Sequence, residues 1–374
     1  MTRMGKTMML GAALVLAACG GKDTDTEFVE ATPDLSGTAL EINGEAAAED
    51  GAAMIVEGFG VNEGELNGQG QEFLENARVE VKALNSMLKA AVTPIVDLVN
   101  QGGAKAQPGD VQVYGPSDRA DASYKFTIKK ATAARYVWKL EARPLGSTDD
   151  SAYKLVAAGG LTKGVLAHRG RGTIAMNLDN LKAVATPGSF AGAGKLLGSF
   201  AHTALGEKTL AYRLVGFTPN TANHEPVTGA FVGHRRASGI TRVRVFGKYN
   251  LKNTATDAKE NVFASLRHIP GVGGRADVFA AGGDIAADKV YIGSACWDAT
   301  EMEKFRILRQ CTKGQIPASC TVVAGSQVGT RDACPAAELR GDDAPPSGDP
   351  SDISQEPDAP ADPEPLPGDV TADL

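Results

Sequence analysis

Five cysteines carry most of the distinctive chemistry open to this 374-residue chain. Cys19 ends the run that starts at Met8, and Arg3 and Lys6 precede it. A positive stretch, an apolar run shorter than the roughly 20 residues that span a bilayer, and small residues before a cleavage point have the order of a secretory signal. Cys296, Cys311, Cys320 and Cys334 stand at intervals of 15, 9 and 14 residues. An even set in an exported chain reads as disulfides. The spacing lacks the close CxxC pairs of a zinc ribbon, so neither a metal nor a cofactor is expected.

Hairpin geometry suggests the pairing. If Lys289–Cys296 and Glu303–Cys311 form strands around Asp298–Met302, Cys296 lies near the turn and Cys311 at the far end. That separation exceeds the ~7 Å that a bridge tolerates between Cα atoms. Cys311 and Cys320 flank a turn containing Lys313, Gly314 and Pro317. The expected bridges are Cys311–Cys320 and Cys296–Cys334. A helix over Ala299–Gln310 would undo this argument.

Other candidate chemistry is sparse. His224-Glu225 begins like a zincin motif, but Pro226 breaks helices and Thr228 stands where the second His belongs. His168, His202, His224, His234 and His268 are scattered singly. Gly192-Ala193-Gly194-Lys195 lacks the Ser or Thr of a phosphate loop, since Leu196 follows. No nucleophile elbow or calcium loop occurs. No catalytic residue is therefore assigned. Trp138 is expected in a core on an alternating strand, and Trp297 against the neighbouring disulfide.

The segment Leu16-Ala17-Ala18-Cys19, followed by Gly20, resembles the lipobox of bacterial lipoproteins. The resemblance implies diacylglyceryl transfer to Cys19, cleavage after Ala18 and acylation of the new terminus. Several acyl chains on one residue make membrane attachment effectively stable. Gly20 in place of an inner-membrane retention Asp implies the outer membrane of a Gram-negative envelope.

Charge is divided along the chain. Residues 22 to 80 carry a net −13 and residues 341 to 374 a net −10, so residues 81 to 340 carry +14. The basic centre is either a face toward anionic lipid or an envelope polymer, or a solvated surface with Lys and Arg on the polar sides of strands. Nucleic acid is not an expected partner, because no aromatic/basic RNA motif or zinc-finger spacing is present.

Phe73, Ala77, Val81, Leu84, Leu88, Val92, Ile95 and Val99 recur every three or four residues, which predicts a helix that Pro94 kinks or divides. A weaker helical stretch lies around Ala46–Glu57. From Val111 the period changes to two. Strands are expected around Tyr124–Lys129, Tyr136–Glu141, Tyr153–Leu155, Thr162–His168, Gly172–Leu178, Thr209–Phe217, Thr228–Gly233, Ile240–Tyr249, Val262–Ile269, Ala276–Ala281 and Lys289–Gly293. Asp179–Ala185 reads as a helical turn and Pro187–Gly198 as a glycine-rich connection. With 44 glycines and no helical segments between the strands, the fold class is mainly β. It is an antiparallel meander, half-barrel or sandwich-like, with an N-terminal packing helix, a disulfide-bonded C-terminal module and a disordered acidic tail. Coiled-coil, collagen-like and multi-span membrane classes are excluded.

The expected organisation is a signal peptide over 1–18, a lipidated tether over 19–36, an acidic helical segment over 37–110, a β domain over 111–293, a four-cysteine module over 294–340 and the acidic, proline-rich tail over 341–374. A helix followed by a long meander behind a lipobox is similar in element order to the half-barrel lipid carriers of lipoprotein localisation, which implies a lipid-handling role. The leading expectation is a non-enzymatic lipoprotein of the outer membrane with a structural or binding role. A lipid-carrying half barrel and an envelope enzyme with dispersed catalytic residues are the alternatives.

Overall fold

A computed structural model of the chain describes residues 23–33, 39, 71–108, 110–166, 169–190, 192–218, 227–249 and 258–340. Cys19, the Ala46–Glu57 stretch, His168, His224 and the acidic tail lie outside the described residues.

Two helices precede the sheet: α1 (Asp23–Glu30) and α2 (Gln71–Gln101). In α2, Val81, Leu84, Leu88, Ala91, Ile95 and Leu98 are buried at the predicted spacing. The helix runs through Pro94 without dividing. Fully buried Val92 and Ile95 flank the proline and offset the hydrogen bond it cannot donate. Gly102 and Gly103, with φ of 69° and 74°, end the helix in the left-handed conformation that glycine adopts without cost.

The sheet follows as β1 (Lys105–Gln107), β2 (Val111–Asp118), β3 (Ser123–Lys130), β4 (Arg135–Arg143), β5 (Lys154–Lys163) and β6 (Gly170–Asn177). The short helix α3 (Leu178–Val184) leads into β7 (Ala193–His202), β8 (Lys208–Thr218), β9 (Val227–Arg235) and β10 (Thr241–Tyr249). Next come β11 (Glu260–Ile269), β12 (Gly273–Ala281), β13 (Lys289–Asp298), β14 (Glu303–Thr312), β15 (Thr321–Val322) and β16 (Val328–Gly329). They form one 16-stranded antiparallel meander in sequence order, with β15 and β16 both paired to β14. The edges are short strands, three residues in β1 and two in each of β15 and β16, which limits the ladder offered to other chains.

One face of the sheet is apolar and packs on the helices. α2 touches β2 and β3 as well as β11 and β12. A helix of 31 residues is about 46 Å long. The ten strand intervals from β2 to β12 span about 48 Å at 4.8 Å each. α2 is tied by ion pairs, Asp97 to Arg119 in the β2–β3 turn and Arg78 to Glu301 in the β13–β14 turn. The tied residues Arg78 and Asp97 are only 19 positions apart, about 28 Å of helix, so α2 bridges β2–β3 and β11–β12 by a path shorter than the flat width of the sheet. Large rings on this face lie over glycines. A Cβ on Gly159 would meet the Trp138 ring at 2.5 Å, and one on Gly274 would meet the Trp297 ring at 2.3 Å. Glycine is needed at both places because the indole occupies the space a side chain would take.

Several expectations require correction. Residues 23–33 are not free tether. Phe28 is buried edge-on to Tyr136, Lys130 bonds Glu27 at 2.6 Å, and Glu30 pairs with Lys163, which docks α1 on β3, β4 and β5. Pro187–Gly198 is not all connection, because Ala193–His202 is strand β7. Strand β5 ends at Lys163, where Thr162–His168 read as a strand. The boundary at 294 falls inside β13, so the cysteine-bearing strands β13 and β14 belong to the sheet. The hairpin expected around Asp298–Met302 is present as β13 and β14, and the alternative helix over Ala299–Gln310 is not formed. Trp297 sits in the core with the inward side chains. Its neighbour Cys296 points the other way, as alternation along a strand requires.

Candidate binding surface

The outward face of β8 to β14 holds the chemistry that the fold assembles. Register aligns His234 with Arg242, Arg242 with Arg267, and Arg267 with Arg275 on β9, β10, β11 and β12. Side chains directly opposite on neighbouring strands are about 5 Å apart, and like charges in that relation repel. The row of arginines therefore needs anions. Arg275 is buried and binds Asp277 through Nε and Nη2 at 2.8 and 2.7 Å. Arg267 pairs with Glu338 at 3.0 Å. Arg242 has no acidic partner among the described residues. Arg244 stands one step along β10 on the same face, level with Ser265 and Val232.

Beside the arginines runs an aromatic row. Phe246, Phe263 and Phe279 are direct cross-strand neighbours, and Ile292 follows on β13. Phe246 and Phe263 are half-buried. Phe279 packs against the cluster around the Cys311–Cys320 bridge. Farther along the same row Arg213 and Leu197 are exposed on β8 and β7. Arg, Lys and Glu side chains also line the outward side of β3 and β4, at Lys125, Lys129, Arg135, Lys139 and Glu141. So charged an exterior differs from the apolar band by which a transmembrane barrel faces lipid. No helix among the described residues is long and apolar enough to cross a membrane.

The four C-terminal cysteines fold the end of the chain onto this face. Cys296–Cys334 and Cys311–Cys320 have S–S distances of 2.05 and 2.04 Å. Cys296, Phe305, Ile307, Cys334 and Leu339 form one small outward cluster. Ser326 donates to the Leu308 carbonyl at 3.0 Å and accepts from its amide at 3.2 Å. Arg275 Nη1 donates to the Leu339 carbonyl at 3.1 Å, and Arg340 Nε donates to the Cys334 carbonyl at 3.2 Å. The last described residues therefore lie directly above the arginine row.

A second polar group lies on the inward side at the rim. His268 and Trp297 are buried, and His268 Nδ1 and Trp297 Nε1 have no hydrogen-bond partner among the described residues. Burial first, and the Arg78 guanidinium second, hold the His268 imidazole below its ordinary range, with Glu301 acting the other way. Arg78 in turn holds the Glu301 carboxyl below the usual carboxylate range. In the same turn Asp298 is held still lower by Lys304 and Thr300. This arrangement sets an imidazole beside the ion pair that joins α2 to the β13–β14 turn. Among the described residues no three His, Cys, Asp or Glu side chains gather as a metal ion would require. His202 is buried on β7, and His234 lies at the end of the arginine row.

The sequence points to the cysteines, and the structure brings them together in pairs. The arginine and phenylalanine rows escape a linear reading, since their members come from separate strands. The alternation in Thr241–Tyr249 and Glu260–Ile269 places Arg242, Arg244 and Arg267 on polar sides, but only register makes them neighbours. No family model, curated protein or solved structure matches this chain.

Proposed function

We propose that this protein is a lipid-anchored lipoprotein of the cell envelope, with a non-enzymatic binding or structural role exercised through the outward basic face. The observation that carries the reading is the placement of α2. Its buried Val81, Leu84, Leu88, Ile95 and Leu98 fill the side of the meander where a half-barrel carrier would hold its lipid. Charge then lies on the opposite side, where Arg213, Arg242 and Arg244 suit an anionic envelope polymer or lipid headgroup. Cys19 would supply the anchor. α1 begins at Asp23, so the four residue steps from Cys19 reach at most about 14 Å. The fold would sit close against the membrane rather than on a long leash.

The test compares the native chain with Cys19→Ser in a Gram-negative host. The native chain should float with membranes, and the variant should remain soluble with an unchanged circular dichroism spectrum. Solvent extracts of the purified variant should hold no stoichiometric lipid. Membrane retention of Cys19→Ser would refute the anchor, and one lipid per chain would favour the carrier reading.

A further inference from the structure

The arginine row is incomplete in a way that identifies an occupant. Across β12, β11 and β10, Arg275, Arg267 and Arg242 stand side by side. Asp277 neutralises the first and Glu338 the second, while Arg242 has no carboxylate among the described residues. The second neutralising group comes from the C-terminal end of the folded chain. That end is fastened in place: Arg275 holds the Leu339 carbonyl, and Cys334 is bridged to Cys296 beside Arg275 on β13. The next residues are Gly341, Asp342 and Asp343, and the 34 residues from 341 contain ten acids and no base.

We infer that the acidic segment 341–374 docks on the outward face of β8 to β11, with Asp342 and Asp343 near Arg242 and the later carboxylates over Arg244 and Arg213. The length of chain permits the first of these. At 3.3–3.6 Å per residue, Asp342 and Asp343 cannot lie more than about 15 Å from Leu339. Arg242 is two strand intervals from Arg275, which is about 10 Å. The aromatic row extends the match. Phe246 and Phe263 are half-buried beside the arginines, and Ile353, Leu366, Val370 and Leu374 are the large aliphatics that the segment can place on them. The segment would occupy the same face that the proposed function assigns to an external polyanion, and would compete with it. The inference itself rests on the arginine row and the exit point, not on the identity of that external partner.

The experiment uses the full chain carrying Cys19→Ser and the Asp-specific endoproteinase Asp-N, with cutting followed before Asp352 and Asp369. Rates are normalised to those of a free peptide of residues 341–374. Docking held by charge predicts cleavage at least about fivefold slower at 20 mM than at 500 mM salt, because the Debye length shrinks with ionic strength. The double variant Arg242→Ser/Arg244→Ser should lose that salt dependence. So should Asp342→Asn/Asp343→Asn, whose changes lie outside the strands of the sheet. Dextran sulfate should release the segment and speed cleavage at low salt. Equal rates at both salt concentrations in the native chain would overturn the inference, as would a salt dependence that survives both variants. Membrane release of Cys19→Ser bears only on the proposed function, so the two can fail separately.

Discussion

Arg78 and Glu301 are joined across 223 positions of sequence, with Nη2–Oε1 and Nη1–Oε2 distances of 2.5 and 3.1 Å. The pair fixes the start of the bridging helix to the β13–β14 turn. Glu301 adopts a φ of 63°, uncommon for a residue with a side chain, in the turn from which its carboxylate meets the helix. Glu301→Gln keeps the shape but removes the charge. It should cost about 1–2 kcal/mol in urea unfolding, as expected for a partly exposed charged hydrogen bond. His268 should then titrate still lower, because Glu301 is the group that raises it. An unchanged midpoint and an unchanged His268 titration would remove the role assigned to the pair.

Acid should weaken the fold in two stages. His268 is held below its ordinary 6.5, so its neutral form is favoured by folding. Its contribution is complete above pH 6.5 and is lost as pH falls from there toward the lowered folded value, since the unfolded chain binds the proton first. Glu301 and Glu27 are likewise lowered, Glu27 chiefly by Lys130. Their contributions are complete above the ordinary carboxylate range near 4.5 and are lost as pH falls through their folded values. His268→Gln should flatten the first stage and leave the second. A variant with the native pH profile would exclude His268 as its source.

Gly274→Ala should be far more harmful than an ordinary surface change. Its Cβ would lie 2.3 to 2.8 Å from the atoms of a fully buried indole. Overpacking of this kind costs about 1–3 kcal/mol, and Trp297 emission should shift as the ring moves. Gly314→Ala, in a turn with no heavy atom within 4 Å of the added carbon but with a φ of 85°, separates backbone strain from collision. Native emission and stability in Gly274→Ala would disprove the packing argument.

Reduction should act on the end of the chain rather than on the sheet. Bridges with separations of 38 and 9 residues stabilise by about 4 and 2.5 kcal/mol on the chain-entropy estimate. The residues after β14 have little core beyond the two cysteine clusters, whereas β13 and β14 are paired along their length. Hydrogen exchange with reductant should show loss of protection in 313–340 while Lys289–Thr312 keeps its own. Simultaneous loss in both would make the bridges part of the main cooperative unit.

Much of the architecture is readable from local pattern. The α2 stripe and the alternating strands each follow from one periodicity, and the cysteine pairing from the length of one hairpin. β7 was hidden by its glycines. Gly194 sits at an irregularity with a φ of 85°, and Gly198 makes room for the Tyr212 ring, so neither contributes to an alternating pattern. α1 was hidden because its acidic residues resemble a solvated linker until Lys130 and Lys163, far along the chain, are seen to receive them. The arginine row needed strand register, which depends on turn lengths and bulges that single-strand patterns do not encode.

The order in which α2 and its partners leave the ribosome sets a problem of timing. α2 ends at Gln101, but β11 and β12, which cover one of its ends, begin at Glu260 and Gly273. At 5–20 residues per second, the stripe from Val81 to Leu98 is made on the order of ten seconds to half a minute before its last cover exists. Throughout that time the helix has no complete cover. An apolar ridge left open for that long is what a holding chaperone recognises. In a chain exported as proposed, the delay extends until the strands have crossed the membrane, so the stripe should be held by a chaperone until β12 arrives beside it on the far side.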